Sequence, residues 1–431
     1  MMPLNAPSTA SAVKASRMEV FAWCFFDFAN SAYTTVIITA FYVLYFKNIV
    51  VDGPMGDFLW GLSIALAMLV VAVTAPVLGA IADCSASKKR FLAFFAGLCV
   101  LFTALLYFVG RGDVFFGILF FVVATIGFDA GIVFYNAFLL EIADKKDMGK
   151  VSGWGWAIGY FGGMACLLAV MPLAARMSDG DVGLPFAKLT FPVTALFFLV
   201  FSLPTFLILK ERARPKPLPP GASYIRAGFA QLGQTFANIR RYRELVKFLI
   251  AFFIFNDAMT TVIAFAASYA DQTLHFTVKE NILTLLLVNL SAAPGAFVFG
   301  YVVDWIGAKK TIIITLVLWL AVVVGVCLTD SKAEFFWLAM LAGIGLGSCQ
   351  SASRSLVALF SPPAHSAEFF GFQAVCGKFA AILGPLVFGL VSSFTGNQRY
   401  AVLTVGLFFL VGLILMTFVD EQAGIRAASE S

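Results

Sequence analysis

Apolar residues dominate stretches at roughly 19–46, 58–82, 91–110, 114–140, 150–175, 188–210, 246–270, 280–303, 310–329, 333–360, 367–394 and 400–419. Each is long enough to cross the ~30 Å hydrocarbon core of a bilayer as an α-helix. The 431 residues are 61% hydrophobic and 12% charged, against about 45–50% and 25% in soluble domains. The expected fold is an all-α polytopic membrane protein with twelve transmembrane helices.

The polar remainder fixes the expected topology. About twenty Lys and Arg lie in the amino-terminal tail, the even-to-odd connections and the carboxyl-terminal tail, against about seven in the other connections. By the positive-inside rule both termini are cytoplasmic. Lys14 and Arg17 resemble the basic flank of a signal peptide, but the run behind them is too long and too polar on one face, so we read it as an uncleaved first helix. The net charge of +5 follows this loop pattern and gives no reason to expect a nucleic-acid partner. Forty-eight Phe suit a lipid-facing surface. The seven cysteines fall mostly in apolar runs without a CxxC pair, and His275 and His365 are far apart. Neither a disulfide framework nor a metal centre is expected, and no cofactor is implied.

The chain repeats itself. Phe25-Phe26 followed by Thr34-Thr35-Val36-Ile37 returns as Phe252-Phe253 followed by Thr260-Thr261-Val262-Ile263. After the second and eighth runs, Gly79, Asp83, Lys88 and Lys89 are matched by Gly300, Asp304, Lys309 and Lys310 at the same spacing, with Ala86 standing where the second copy has Gly307. Gly153 and Gly159 are echoed by Gly371 and Gly377. The organisation read from this is a tail (1–18), a six-helix half (19–210), a linker (211–245), a second six-helix half (246–419) and a tail (420–431). The linker opens with four prolines between Arg212 and Gly221, which exclude a regular helix there. Then Ile225, Phe229, Leu232, Phe236 and Ile239 recur at helical spacing among Arg226, Arg240, Arg241 and Arg243. That pattern predicts a basic amphipathic helix on the cytoplasmic leaflet. Two parallel halves related by an axis along the membrane normal put a site between them at the midplane.

The paired loop motif resembles the signature of the major facilitator superfamily. Within it, Asp27-Phe28-Ala29-Asn30-Ser31-Ala32-Tyr33, Phe134-Tyr135-Asn136-Ala137-Phe138-Leu139 and Val151 to Gly163 resemble the vacuole-effluxer-like family, named for an autophagy-linked amino-acid effluxer. Short loops make a bacterial member, in an inner membrane, the expectation. The resemblance implies that the first, fourth, seventh and tenth runs line the solute path. It also implies that Asp83 meets the start of the eleventh run and Asp304 the start of the fifth, near Gly149 to Val151, latching the cytoplasmic side. A Gly at the helix end permits close packing, an Asp suits another helix's positive end, and the lysines are expected among the headgroups.

Polar residues cluster on those four runs independently of the resemblance. Asp27, Asn30, Ser31 and Thr34 share one helical face. The fourth run carries Asp129, Tyr135 and Asn136; the seventh Asn256 and Asp257; the tenth Gln350 and Arg354, after the glycines 343, 345 and 347, which allow close packing or local unwinding. A charged group inside a span costs roughly 2.5–3.5 kcal/mol on insertion scales, so these side chains should face a polar path or one another. Asp27, Asp129 and Asp257 can hold a substrate ammonium or carry a coupling proton; Asp27 and Asp257 are favoured, as they lie on corresponding helices. Lys378, in the eleventh run, either receives a substrate carboxylate or pairs with an Asp. Arg354 reads as a gate or interface residue. Trp154, Trp156 and Tyr160 either wall the cavity or pack on the eighth run.

The function expected is a monomeric secondary transporter for a small solute, an amino acid or similar zwitterion, working by alternating access with H+ as coupling ion. Efflux of drugs, siderophores or other organic solutes is the alternative. A membrane enzyme would show an activated nucleophile or clustered metal ligands, and a receptor without flux a soluble output domain; neither is visible.

Overall fold

The computed structural model describes residues 15–218 and 223–430. Lys14, most of the amino-terminal tail and the end of the proline run at 219–222 lie outside the described residues. Twelve helices are long and apolar enough to span a membrane. They are Arg17–Val51, Gly56–Ser85, Lys88–Phe108, Val114–Ile142, Lys145–Met177, Leu184–Ile208, Ile239–Leu274, Lys279–Ile306, Ala308–Leu328, Lys332–Phe360, Pro363–Thr395 and Gln398–Thr417, hereafter spans 1 to 12. Their starts carry local signals. Ser16 accepts from the Glu19 N–H while the Glu19 carboxylate accepts from the Ser16 N–H, and Thr277 and Glu280 repeat this box before span 8. Span 1 departs from α-geometry: Tyr33–Ala40 and Phe46–Val51 are π-helical, an irregularity that recurs at functional sites.

Spans 1–6 and 7–12 form two bundles joined along two seams, span 2 against span 11 and span 5 against span 8. Both seams are built on glycine. A Cβ at Gly79 would lie 2.4 Å from the Ala367 carbonyl oxygen, and one at Gly300 would lie 2.8 Å from that of Gly149. These approaches are too close for any side chain, which is the physical content of the repeated motif. The glycines of span 10 serve the same end: its helix is unbroken, and a Cβ at Gly347 would lie 2.1 Å from the Ala292 carbonyl oxygen. Large apolar side chains such as Phe94, Phe115, Trp305 and Phe394 point outward, as a lipid-facing surface requires.

Residues 211–218 are not helical, and Tyr224–Ala237 form the linker helix. Its apolar residues Ile225, Phe229 and Phe236 are exposed while Gly228, Gln231 and Thr235 are buried against the bundle. Both described chain ends lie on one face, where Lys145 bonds Ser429 across 2.6 Å and Arg212 bonds Glu19 across 2.8 Å; we call this the terminal face.

Candidate solute and gating site

Asp27 lies ten residues into span 1, nearly buried, with its carboxylate on the guanidinium of Arg354 at 2.9 Å. Arg354 comes from span 10 and is 3% exposed. Its Nε donates to Ser152 Oγ at 2.9 Å, Nη2 to the Ser152 carbonyl at 2.6 Å and Nη1 to Asn136 Oδ1 at 3.3 Å. Three rings surround the guanidinium, with centroids 4.9 Å (Trp23), 5.3 Å (Trp156) and 5.7 Å (Tyr135) away. A buried cation so enclosed is held by charge-assisted bonds and by the negative ring faces. The Asp27 face looks at spans 5 and 10, with Gly155 and Gly159 of span 5 directly against it. Asn30 is buried with its Nδ2 unbonded.

A second pair crosses the halves near the midplane: Lys378 of span 11 bonds Asp129 of span 4 at 2.6 Å. Of the two roles open to Lys378, the structure shows it paired with an Asp. Asp129 and Asn136, seven residues apart, serve different cations. Asp257, on span 7, is fully buried and neither carboxylate oxygen has a hydrogen-bond partner; span 11 passes so close that a Cβ at Gly384 would lie 2.9 Å from Oδ1. Asp27 and Asp257 therefore differ in kind. In the repeat Asp257 aligns with Asn30 or Ser31 and not with Asp27. Asn256 accepts from Gln350 Nε2 across a long 3.4 Å, and Tyr135 spends its ring on Trp23, stacked at 4.5 Å, leaving its hydroxyl unbonded.

On the terminal face Asp304 accepts from the Gly149 and Lys150 N–H at 2.7 and 2.9 Å, and Asp83 from those of Ala367 and Glu368 at 3.2 and 3.0 Å. Each carboxylate sits at the start of a helix in the other half, where the dipole favours negative charge. Three of the four motif cations differ from the headgroup anchors expected of them. Lys88 is 1% exposed, 2.6 Å from Glu141 and 3.0 Å from Ser366 Oγ, because the seam closes over it. Lys89 and Lys309 donate to the Leu209 and Thr417 carbonyls, and Lys310 is exposed. Gly307 has φ +96°, while Ala86 holds a left-handed φ of +46°. The carboxylates of Glu211 and Glu421 cap spans 3 and 9 in parallel fashion, at 2.7 Å from the Lys88 N–H and 2.9 Å from the Ala308 N–H. Burial pushes the Glu211 carboxyl above its ordinary value, against the pull of the Lys89 and Lys88 N–H groups.

Sequence reasoning passed over Trp23, Ser152, Glu141, Glu211 and Glu421, and read Arg354 as a gate or interface residue without its partners. The usable signal was that Arg354 is the sole arginine inside a run of the second half's lining helices. Of Trp154, Trp156 and Tyr160, Trp156 faces Arg354 with the Tyr160 ring 5.9 Å from its own, while Trp154 Nε1 reaches Tyr301 of span 8 at 3.3 Å. Among the described residues no group of His, Cys, Asp and Glu is arranged to hold a metal.

This architecture is shared. Its fold is similar to the crystal structure of the E. coli fucose:proton symporter FucP, with a TM-score of 0.73 at 14% identity, covering 94% of this chain and 98% of that one. In sequence it is 32% identical over 408 residues to YxiO of Bacillus subtilis, described as an uncharacterized MFS-type transporter, covering 93% of this chain and 94% of that protein. It is 26% identical over 321 residues to autophagy-related protein 22 of Kluyveromyces lactis, covering 70% of this chain but only 63% of that longer relative. Residues 61–429 match the family described as vacuole effluxer Atg22 like. The chain belongs to that family, and so to the transporters of the major facilitator superfamily rather than to the enzymes.

Proposed function

We propose that the protein moves a small zwitterion, an amino acid or close analogue, by alternating access coupled to protons, as a monomer in a bacterial inner membrane with the terminal face cytoplasmic. The observation that carries this is the distribution of cross-half bonds. Among the described residues, the side-chain hydrogen bonds and ion pairs joining the halves run from Asp129–Lys378 at the midplane to the Asp83 and Asp304 clamps at the terminal face. Such a protein is shut on one side and free to part on the other, as one end state of a rocking carrier requires. Gly79, Gly300, Gly307, Lys88, Lys89, Lys309 and Lys310 act with the two clamps as the gate. Asp257 carries the coupling proton, since a fully enclosed carboxylate without a partner is penalised in its charged form, and Asn256, Gln350, Asn30 and Asn136 supply neutral hydrogen bonds to the solute. The family's name and the proton symport named for FucP support this reading.

The test is flux. Purified protein in proteoliposomes, given an inward proton gradient, should accumulate one or more labelled amino acids, and collapsing the gradient should abolish accumulation. Uptake indifferent to the gradient would remove proton coupling, and no uptake of any amino acid in either orientation would remove the substrate class. A second reading, efflux of an apolar organic solute, is favoured by a crevice of about 810 Å³ between spans 5, 8 and 10, lined by Ile158, Phe161, Pro294, Phe297, Met340 and Ile344. Accumulation of apolar compounds in place of amino acids would select it.

A further inference from the structure

The guanidinium of Arg354 is a guest in the other half of the molecule. Arg354 belongs to span 10, yet the groups that hold it come from the first bundle: Trp23 and Asp27 from span 1, Tyr135 and Asn136 from span 4, Ser152 and Trp156 from span 5. The receptacle is also assembled without its guest. The Trp23 Nε1 donates to the Tyr135 carbonyl at 2.9 Å, the two rings stack, and Phe26 stacks on Tyr135 at 5.0 Å. Span 5 lies hard on span 1, where a Cβ at Gly162 would fall 2.1 Å from the Phe28 carbonyl oxygen.

When the halves part on the terminal face, Arg354 leaves with span 10. A carboxylate, three acceptor oxygens and three ring faces stay behind, with their geometry fixed and their cation gone. We propose that this vacated box is a solute subsite for an organic cation, a primary ammonium or a guanidinium, that replaces Arg354 in the open state and is expelled when Arg354 returns. The proposal rests on the alternating-access reading and names the substrate group that reading left general.

The box also selects among cations. Asp27 Oδ2, Asn136 Oδ1 and the Ser152 carbonyl can only accept, and Ser152 Oγ accepts from Arg354 Nε, so the box favours a ligand with several N–H donors. Its floor is tight: a Cβ at Gly155 would lie 2.7 Å from both Arg354 Nη2 and Asp27 Oδ2 and 2.9 Å from Trp23. A flat guanidinium or a bare ammonium fits, whereas a quaternary ammonium offers no donor and too much bulk. A simple latch between the halves would have no need to bind any free cation.

Two measurements test this. In full-length Arg354→Ala protein, methylguanidinium chloride should raise the thermal midpoint saturably, while sodium chloride and tetramethylammonium chloride at equal ionic strength should not. Adding Asp27→Asn should weaken the effect by about tenfold or more, as expected for loss of a charge-assisted bond. Equal responses to methylguanidinium and sodium would overturn the proposal. If Arg354→Ala does not fold, a protein retaining Cys24 as its sole cysteine takes its place, since Cys24 is 1% exposed beside the box. Methylguanidinium should then accelerate alkylation of Cys24 by N-ethylmaleimide over the sodium control, and equal rates overturn the proposal. The same protein with Asp83→Asn and Asp304→Asn separates the two failures. If Cys24 becomes reactive there but ignores methylguanidinium in the parent, only the cation box falls; if it stays unreactive in both, the halves do not part and alternating access falls with it.

Discussion

Asp27 and Asp129 each meet a cation, but the two pairs are not equally costly to break. Arg354 is 3% exposed, so Asp27→Asn strands a buried charge and should destabilise by about 3–5 kcal/mol. The Lys378 side chain is 25% exposed and relaxes toward water, so Asp129→Asn should cost less. Unfolding midpoints of the two variants give the order directly. Asp257 makes no hydrogen bond through its carboxylate, so Asp257→Asn removes no bond and should change stability by no more than about 1 kcal/mol. It should instead flatten the pH dependence of solute flux. That acidic groups stand inside spans is legible in the sequence, because a charge interrupts an apolar run. Their partners are not: Asp27 and Arg354 are 327 positions apart, and no local pattern joins them. Nor does the repeat reveal them: Asp27 and Asp257 lie on corresponding helices, yet one is paired with Arg354 and the other has no hydrogen-bond partner on its carboxylate.

At the level of helices, the legible features are those with a period. The twelve spans, and the amphipathic stripe of the linker, follow from spacing alone. What spacing leaves open is which face turns inward, and the linker helix shows why: beside a bilayer its apolar side looks out, and Gln231 turns in to donate to Glu368 at 2.7 Å. The two copies of the loop motif also carry a measurable difference. Ala86 occupies a left-handed conformation that costs an L-residue roughly 1–2 kcal/mol, so Ala86→Gly should raise the unfolding midpoint, by about 1 kcal/mol in stability. Gly300→Val should act in the opposite sense. The added side chain meets the Gly149 carbonyl oxygen, so it should prise apart the span 5 and span 8 seam and expose Cys24 to alkylation.

For the molecule as a whole, twelve spans in two copies leave little freedom in topology, and the two-bundle plan is readable from the repeat. The state in which the bundles meet is not, because each seam is a contact between residues of different halves. Clamps confined to one side predict opposed motions. Spin labels at the exposed positions Lys146 and Lys310 of the terminal face should move apart when solute is added, while labels at Asp181 and Asp271 on the other face approach. Distances that change together, or not at all, would rule out rocking. The pairing of Asp27 with Arg354 and of Asp129 with Lys378 has an electrical consequence. Each bundle brings charges that the other cancels at short range, so neither pair adds net charge to the core, and Asp257 alone among these carboxylates stands without a counter-charge. In the proposed cycle the return stroke of the empty carrier moves at most the Asp257 charge through a field worth about 2.3 kcal/mol per elementary charge at 100 mV. Membrane voltage can drive or hold back turnover only through Asp257 and what the carrier is carrying.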